Sequence, residues 1–180
     1  MNFVQPIRDP EILEDIKELL KTTHRRNYMM VLTGLNTGLR ISDILKLRIR
    51  DVTGTHIVIR EKKTGKHKRV LITPELKREL KDYVQDKPLS EYLIKSREGT
   101  NRPITPSMAY KIMREIAADF GLQEIGCHTL RKTFGYFFYR QYKDVAMLMR
   151  LFNHSSEKVT LRYIGIEQDT MDTHLKGFRI

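Results

Sequence analysis

The chain has 180 residues, with 33 Lys and Arg against 22 Asp and Glu, a formal net charge of +11. A hydrophobic fraction of 40% and a charged fraction of 31% fit one globular domain and exclude a long disordered protein. No apolar run approaches the roughly 18 residues of a membrane-spanning helix, the opening Met1-Asn2-Phe3-Val4-Gln5-Pro6 lacks a signal-peptide pattern, and the single Cys127 excludes an internal disulfide and a multi-thiolate zinc site.

A hydrophobic core must therefore hold the fold. Asp9-Pro10 pairs a capping residue with proline at the first helical position, and Ile12, Leu13, Ile16, Leu19 and Leu20 follow on one face. A second helical pattern runs from about Arg25 through Leu35 and terminates at Gly38. Arg40 falls just past that end. Ser42 or Asp43 is placed to cap a short helix carrying Ile44, Leu45 and Leu47, which predicts a tight joint around Arg40.

From Arg48 to Thr73 the period changes. The β-branched runs Ile49 to Val52, Ile57 to Ile59 and Val70 to Ile72, punctuated at Thr53-Gly54 and Thr64-Gly65, predict a three-stranded antiparallel meander. Between Arg60 and Arg69 stand six Lys or Arg and one acid, Glu61. Such a run is commonly a solvated face, but here Lys62, Lys63 and Lys66 fall on a hairpin tip that reaches away from the core.

Thr73-Pro74 and Thr105-Pro106 each start a helix, the first with Leu76, Leu80 and Tyr83 inward, the second with Ala109, Ile112, Met113, Ile116, Ala117 and Phe120, closed by Gly121. The final third is helical: Thr129 caps a Phe-rich segment, Asp144 caps Val145 to Leu151, and Ser155 or Ser156 caps a short helix ending near Tyr163. A last helix is predicted around Met171 to Leu175. The eight methionines sit mostly at core spacing, and no repeat or low-complexity segment is present.

Three local patterns carry possible chemistry: Thr37-Gly38-Leu39-Arg40-Ile41-Ser42-Asp43, His128-Thr129-Leu130-Arg131, and His154 followed nine residues later by Tyr163. Each alone has an ordinary structural explanation, as a helix-end arginine, a satisfied i, i+3 pair or a packing tyrosine. Taken in order with the Lys-Thr-Gly hairpin, the set Arg40, Lys63, His128, Arg131, His154 and Tyr163 resembles the active site of the tyrosine recombinases, the phage-integrase-type enzymes. The resemblance runs from about Asp9 to the C-terminus and includes Gly-Leu-Arg-Ile-Ser, His-x-x-Arg, His-Ser-Ser and Thr160-x-x-Tyr163-x-Gly165.

The chemistry asks for these residue types. Two guanidiniums grip phosphodiester oxygens and stabilise a pentacovalent transition state, which suits Arg40 and Arg131. A tyrosine of ordinary pKa near 10 needs assistance to become a nucleophile, and His128 is the candidate for it. A lysine arrives protonated at neutral pH and can donate to a departing 5′ oxygen, the role for Lys63. The resemblance implies that His154 hydrogen-bonds the scissile phosphate, that Tyr163 forms a 3′-phosphotyrosyl intermediate, and that no cofactor or metal is required. It further implies double-stranded DNA as partner, with Lys62, Lys66, Lys68 and Arg69 as candidates for the DNA backbone, assembly into a tetramer on DNA, and docking of a C-terminal segment onto the neighbouring protomer.

The expected fold is α+β, mostly α-helical with a small three-stranded antiparallel sheet, as in tyrosine recombinase catalytic domains. Residues 1–180 are expected to form one such domain, with residues 164–180 as a possible protomer-exchange tail, in which Met171, Leu175 and Phe178 either reach a neighbour or pack on their own core. Many family members place a helical core-binding domain before the catalytic one. Here the pattern starts almost at residue 1, which points to an isolated catalytic domain, a truncated element, or a naturally short recombinase similar to the fimbrial phase-inversion enzymes. Asn153 stands where members usually have glycine, and asparagine is the next most tolerant residue of left-handed backbone. Site-specific recombination in the cytoplasm, at the nucleoid if the source is bacterial, is the leading expectation. A type IB topoisomerase-like nicking and resealing activity and an idle DNA-binding or regulatory module are the alternatives. A membrane-surface or RNA-binding patch lacks an amphipathic basic helix or an aromatic RNA-binding signature.

Overall fold

The computed structural model describes residues 4–179. Met1 to Phe3, which open the segment read for a signal peptide, and Ile180, the last residue of the expected tail, lie outside the described residues. Helix α1 (Pro10–Thr23) starts where expected, with the Asp9 carboxylate accepting from the Glu11 amide, and buries Leu13, Ile16 and Leu20. Helix α2 (Arg25–Thr37) runs through the centre with Tyr28 to Gly34 all buried, and packs on α1 and on a later helix, α6 (Thr129–Tyr142). Between them stand α3 (Ile41–Ile44), α4 (Pro74–Val84) and α5 (Pro106–Asp119). Thr73 and Thr105 cap α4 and α5 through their hydroxyls, as the Thr-Pro punctuation predicts.

The sheet is smaller than expected. Two strands, β1 (His56–Arg60) and β2 (His67–Leu71), pair antiparallel with Ile57 opposite Val70 and Ile59 opposite Lys68. The predicted first strand, Ile49–Val52, is instead a single 3-10 turn. Both of its apolar ends, Ile49 and Val52, are buried, and Asp51 closes the turn by accepting from the Arg48 amide at 2.8 Å. A turn of i, i+3 periodicity thus satisfies the same burial that suggested a strand.

The C-terminal third comprises α6, α7 (Val145–Phe152), α8 (Glu157–Tyr163) and α9 (Ile166–Gly177). Asp144 caps α7 and Ser156, rather than Ser155, caps α8. Thr129 is not the cap of α6. It is the first helical residue, His128 occupies the cap position, and the Thr129 hydroxyl accepts from the Gly126 amide.

The large core is built from α1 to α5, the hairpin and the start of α6, and includes Ile16, Met29, Met30, Leu32, Ile57, Leu76 and Met113. Each such fully buried side chain contributes about 1.5–3 kcal/mol relative to exposure. A smaller cluster of Leu148, Phe152 and Ile164, backed by Phe134 and Phe138, joins α6, α7 and α8. Core filling by methionine holds for Met29 and Met30 of α2 and for Met113 of α5, whereas Met108 at the start of α5, Met147 and Met171 are exposed. Helix α9 buries none of its residues. Among the described residues no helix is long and apolar enough to cross a membrane.

Candidate active site

The C-terminal end of α2 sets the site. Gly38 closes the helix in the left-handed region (φ 60°), and a Cβ there would stand 2.4 Å from the Phe134 ring of α6, so only glycine meets both demands. The turn directs the Gly38 carbonyl at α6, where Arg131 Nη1 donates to it at 2.6 Å. Arg131 Nη2 donates to the Phe152 carbonyl at 2.8 Å, and the guanidinium lies 4.1 Å over the Phe152 ring. With 2% of its surface exposed, Arg131 is a fixed charge held by the ends of two helices. Burial draws its pKa down to about 10, although Tyr163 opposes the fall, so it stays charged at neutral pH.

Arg40 follows Gly38 through the buried Leu39 and takes the cap position of α3 without bonding a helix amide. Its guanidinium instead meets Glu61, Nη1 to Oε1 at 3.0 Å. Asp43 does not cap α3 either. It is buried, and its Oδ1 accepts the Lys62 amide at 2.8 Å, tying the hairpin to the α2–α3 joint.

Tyr163 is the last residue of α8 and is half-buried. Its hydroxyl lies 3.2 Å from His128 Nδ1. Its ring meets His154 edge-on at 5.0 Å between centroids and Phe152 at 5.7 Å. Burial raises the phenol pKa, and the charges of Arg131 and Arg40 pull against that rise without cancelling it. Both histidines are pushed the other way, first by burial of their rings and then by the surrounding cations Arg131, Arg40 and Lys63. His128 falls below its ordinary value and His154 falls to about 4. Both are neutral at pH 7, so a neutral imidazole faces a protonated phenol. The buried Thr160 hydroxyl lies 3.1 Å from both His154 Nδ1 and the Ser156 carbonyl, and in the arrangement where its single proton goes to Nδ1 rather than to Ser156, Nε2 carries the ring proton and is free to donate.

The hairpin tip completes the set. Lys63 is exposed at the turn, near enough for its charge to depress both histidines. Lys62 and Lys66 are exposed beside it, and Arg69 is exposed with Nη2 3.3 Å from His56 Nδ1. Lys68 departs from the expectation of a backbone-reaching cation. Its ammonium turns inward, donates to the Leu151 carbonyl at 2.5 Å and lies 3.6 Å from Glu61. Burial and the nearby Arg131 lower its pKa to about 8. Two residues outside the six stand at this centre. Glu61, the lone acid of the basic run, is buried beneath Arg40, and Asn153, left-handed at φ 54° as its glycine-like position requires, donates to Glu61 at 2.9 Å. The sequence signal for Glu61 was its isolation among six cations.

The structure thus brings Arg40, Arg131, His128, His154 and Tyr163 to one point with Lys63 on its rim. Cys127 turns away toward the Pro106 carbonyl and burial raises its thiol pKa, so it forms no dyad with His128. Among the described residues no group of three or more His, Cys, Asp or Glu is placed to hold a metal ion.

The model of the phage integrase family matches residues 11–169. The chain belongs to that family. It is 48% identical over 179 residues to a Bacillus subtilis (strain 168) protein named "Probable integrase/recombinase YoeC", covering 99% of the chain and 98% of that protein. It is 27% identical over 160 residues to the tyrosine recombinase XerA of Pyrococcus furiosus, covering 85% of the chain and 56% of XerA. The fold is that of the crystal structure of XerA recombinase, with a TM-score of 0.73 at 20% identity over 94% of the chain and 64% of the other. It is also that of XerH recombinase bound to palindromic difH substrate in a post-cleavage complex, with a TM-score of 0.71 at 20% identity over 96% and 53%. The chain therefore spans nearly all of YoeC but only about half to two-thirds of XerA and XerH.

Proposed function

We propose that this chain is the catalytic domain of a tyrosine-type site-specific recombinase, which cleaves and rejoins double-stranded DNA through a 3′-phosphotyrosyl intermediate. The observation that carries the reading is the Tyr163 hydroxyl 3.2 Å from His128 Nδ1, beside the buried charge of Arg131. Membership in the phage integrase family and the DNA-bound post-cleavage complex of the structurally similar XerH support it.

The scissile phosphate fits between Arg40 and Arg131, whose guanidiniums draw charge onto its non-bridging oxygens as a fifth oxygen approaches phosphorus. Tyr163 Oη is that fifth oxygen. Its proton passes to the neutral Nδ1 of His128, and the phenolate charge that develops is met by Arg131 and Arg40. As the P–O5′ bond breaks, the departing oxygen takes a proton from Lys63, and His154 donates from Nε2 to a non-bridging oxygen. A 5′ hydroxyl of the partner strand then attacks the phosphotyrosyl phosphorus, giving its proton to Lys63, and the P–O bond to Tyr163 breaks as the departing phenolic oxygen takes back its proton from His128. The bond broken and the bond formed are both phosphodiester in energy, so the residues need only position charge and protons.

Lys62, Lys66 and Arg69, exposed on the same hairpin, serve the flanking DNA backbone, where each neutralised phosphate releases counterions. Assembly into a tetramer has its support in α9. Met171 and Leu175 of α9 and Phe178 just past its end are exposed, as in a segment meant for a neighbouring protomer. An apolar cleft of about 610 Å³ between α1, β2 and α6, lined by Leu13, Leu35, Phe134, Phe137 and Phe138, offers such a segment a seat.

The test is a nicked suicide duplex carrying the recombination site. The wild type traps a covalent protein–DNA adduct that resists denaturation, and Tyr163→Phe abolishes it. An adduct that survives this substitution overturns the assignment of the nucleophile.

A further inference from the structure

Glu61 is the most deeply buried acid near the site. Its side chain is 0% exposed although it lies two residues from the exposed Lys63. Four side chains from four places converge on it: Arg40 at the α2–α3 joint at 3.0 Å, Lys68 on β2 at 3.6 Å, Asn153 at the end of α7 at 2.9 Å, and Thr64 on the hairpin turn at 2.7 Å. Its backbone shares in the same turn, the Gly65 amide donating to the Glu61 carbonyl and the Glu61 amide to the Lys66 carbonyl, each at 2.9 Å. Burying a carboxylate is expensive unless it is paired and hydrogen-bonded: Oε2 accepts from Thr64 and Asn153, while Oε1 has the ion pairs to Arg40 and Lys68 but no hydrogen bond. Burial alone would push its pKa up, but the hydrogen bonds from Thr64 and Asn153 and the charges of Arg40 and Lys68 hold it below the usual carboxylate range.

We propose that Glu61 is a positioning residue that fixes the Lys63 hairpin against Arg40 and the end of α7, with Asn153 as its matched partner. This rests on the reading of the reaction given above. The geometry has a direct consequence for Lys63. Residues 62–66 are a turn whose side chains are all exposed, and a chain so placed has few contacts of its own to define where an ammonium stands. The Glu61 carboxylate supplies one anchor and the Asp43 carboxylate, through the Lys62 amide, supplies the other. Of the two, only Glu61 also touches a guanidinium of the phosphate grip. Removing its charge leaves Arg40, Lys68 and Arg131 clustered with no anion between them, and their mutual repulsion works to expel the hairpin. Asn153 fits the same account: glycine at that position offers no side chain to hold a buried acid, whereas the amide does, in a backbone conformation asparagine tolerates.

Two measurements test the proposal. The first compares suicide duplexes whose leaving group is an ordinary 5′ oxygen or a 5′-bridging sulfur, which leaves without protonation. Glu61→Gln slows oxygen cleavage by about tenfold or more, as expected when a general acid is misplaced, and slows sulfur cleavage by less than about threefold. Asn153→Gly moves the oxygen-to-sulfur ratio in the same direction by a smaller factor, and Lys63→Ala marks the full effect. Equal slowing of both substrates, or no slowing of either, in the two variants overturns the proposal. The second needs no reaction: limited trypsin digestion of the folded protein, with cuts mapped after Lys62, Lys63 and Lys66. In Asn153→Gly, and in Glu61→Gln where it folds, these cuts come faster while cuts elsewhere do not, and unchanged rates at the hairpin overturn the proposal even if the wild type proves unable to cleave DNA, an outcome that would instead remove the reading of the reaction.

Discussion

His154 and His128 show how the same cations can serve two ends. Burial and, after it, the guanidiniums proposed to hold a phosphate both disfavour a proton on the imidazoles placed among them, which in the proposed reaction keeps His128 able to accept from Tyr163 and His154 able to donate without adding charge. The pH dependence of stability follows in sign. His154 has a folded pKa of about 4 against an ordinary 6.5, so between these values the unfolded chain binds more protons than the folded one. Stability from this group is therefore full above pH 6.5 and is lost as pH falls toward 4. From pH 7 to pH 5 the loss attributable to His154 is on the order of 2 kcal/mol. Urea unfolding at the two pH values checks it: His154→Gln is expected to shrink the difference by about that amount, and an unchanged difference would show that the ring is already well solvated.

Arg131 on α6, His154 just past the end of α7 and Tyr163 at the end of α8 stand on separate parts of the chain, and their relative placement depends on one close approach. A Cβ at Gly135 of α6 would stand 2.7 Å from Ile164 and 2.8 Å from the Phe152 ring. Gly135→Ala must wedge α6 from the α7–α8 unit, which costs about 1–3 kcal/mol, the usual range for overpacking. The urea midpoint should fall with the slope unchanged, and adduct formation should fall further than the loss of folded protein explains. Gly135 was invisible in the sequence because a glycine inside a helix announces nothing about what lies against it. Local signals were more legible. Asp9, Thr73, Thr105, Asp144 and Ser156 cap the helices they precede because a cap is an interaction across two or three residues. Gly38 marked the end of α2 for the same reason. The turn at Ile49–Val52 was misread because short apolar runs look alike whether they pair or turn. Asp43 and Lys68 were given local or outward roles, yet their partners lie 19 residues away at the Lys62 amide and 83 residues away at the Leu151 carbonyl, distances over which neither periodicity nor spacing carries information.

At the scale of the molecule, the surplus of eleven positive charges is carried in part by the candidate site and the exposed hairpin, whereas α9 is net acidic, with Glu167, Asp169 and Asp172 against Lys176. Helix α9 leaves the body at Gly165 and is tied back through Asp169, which pairs with Arg8 at 2.8 Å in the segment before α1. That partly exposed ion pair and the more exposed Arg162–Glu167 pair at 3.1 Å each contribute little, on the order of 0–1 kcal/mol, so beyond Ile166, which packs on the smaller core cluster, α9 is held weakly enough to exchange these ties for a larger contact. Leu175 is 70% exposed and Phe178 63%, and burying two such side chains in the cleft beside Phe134 and Phe138 of a neighbour would contribute about 3 kcal/mol or more, above the ion pairs it replaces. Such a gain is useful only where a second protomer is held close, as on adjoining DNA sites, because linkage raises the effective concentration of the docking segment. Leu175→Glu therefore should leave the melting temperature and single-site DNA binding unchanged while removing the higher-order bands of a gel-shift ladder on two-site duplexes. A ladder that persists in this variant would exclude α9 as the joint between protomers and leave the cleft without an occupant.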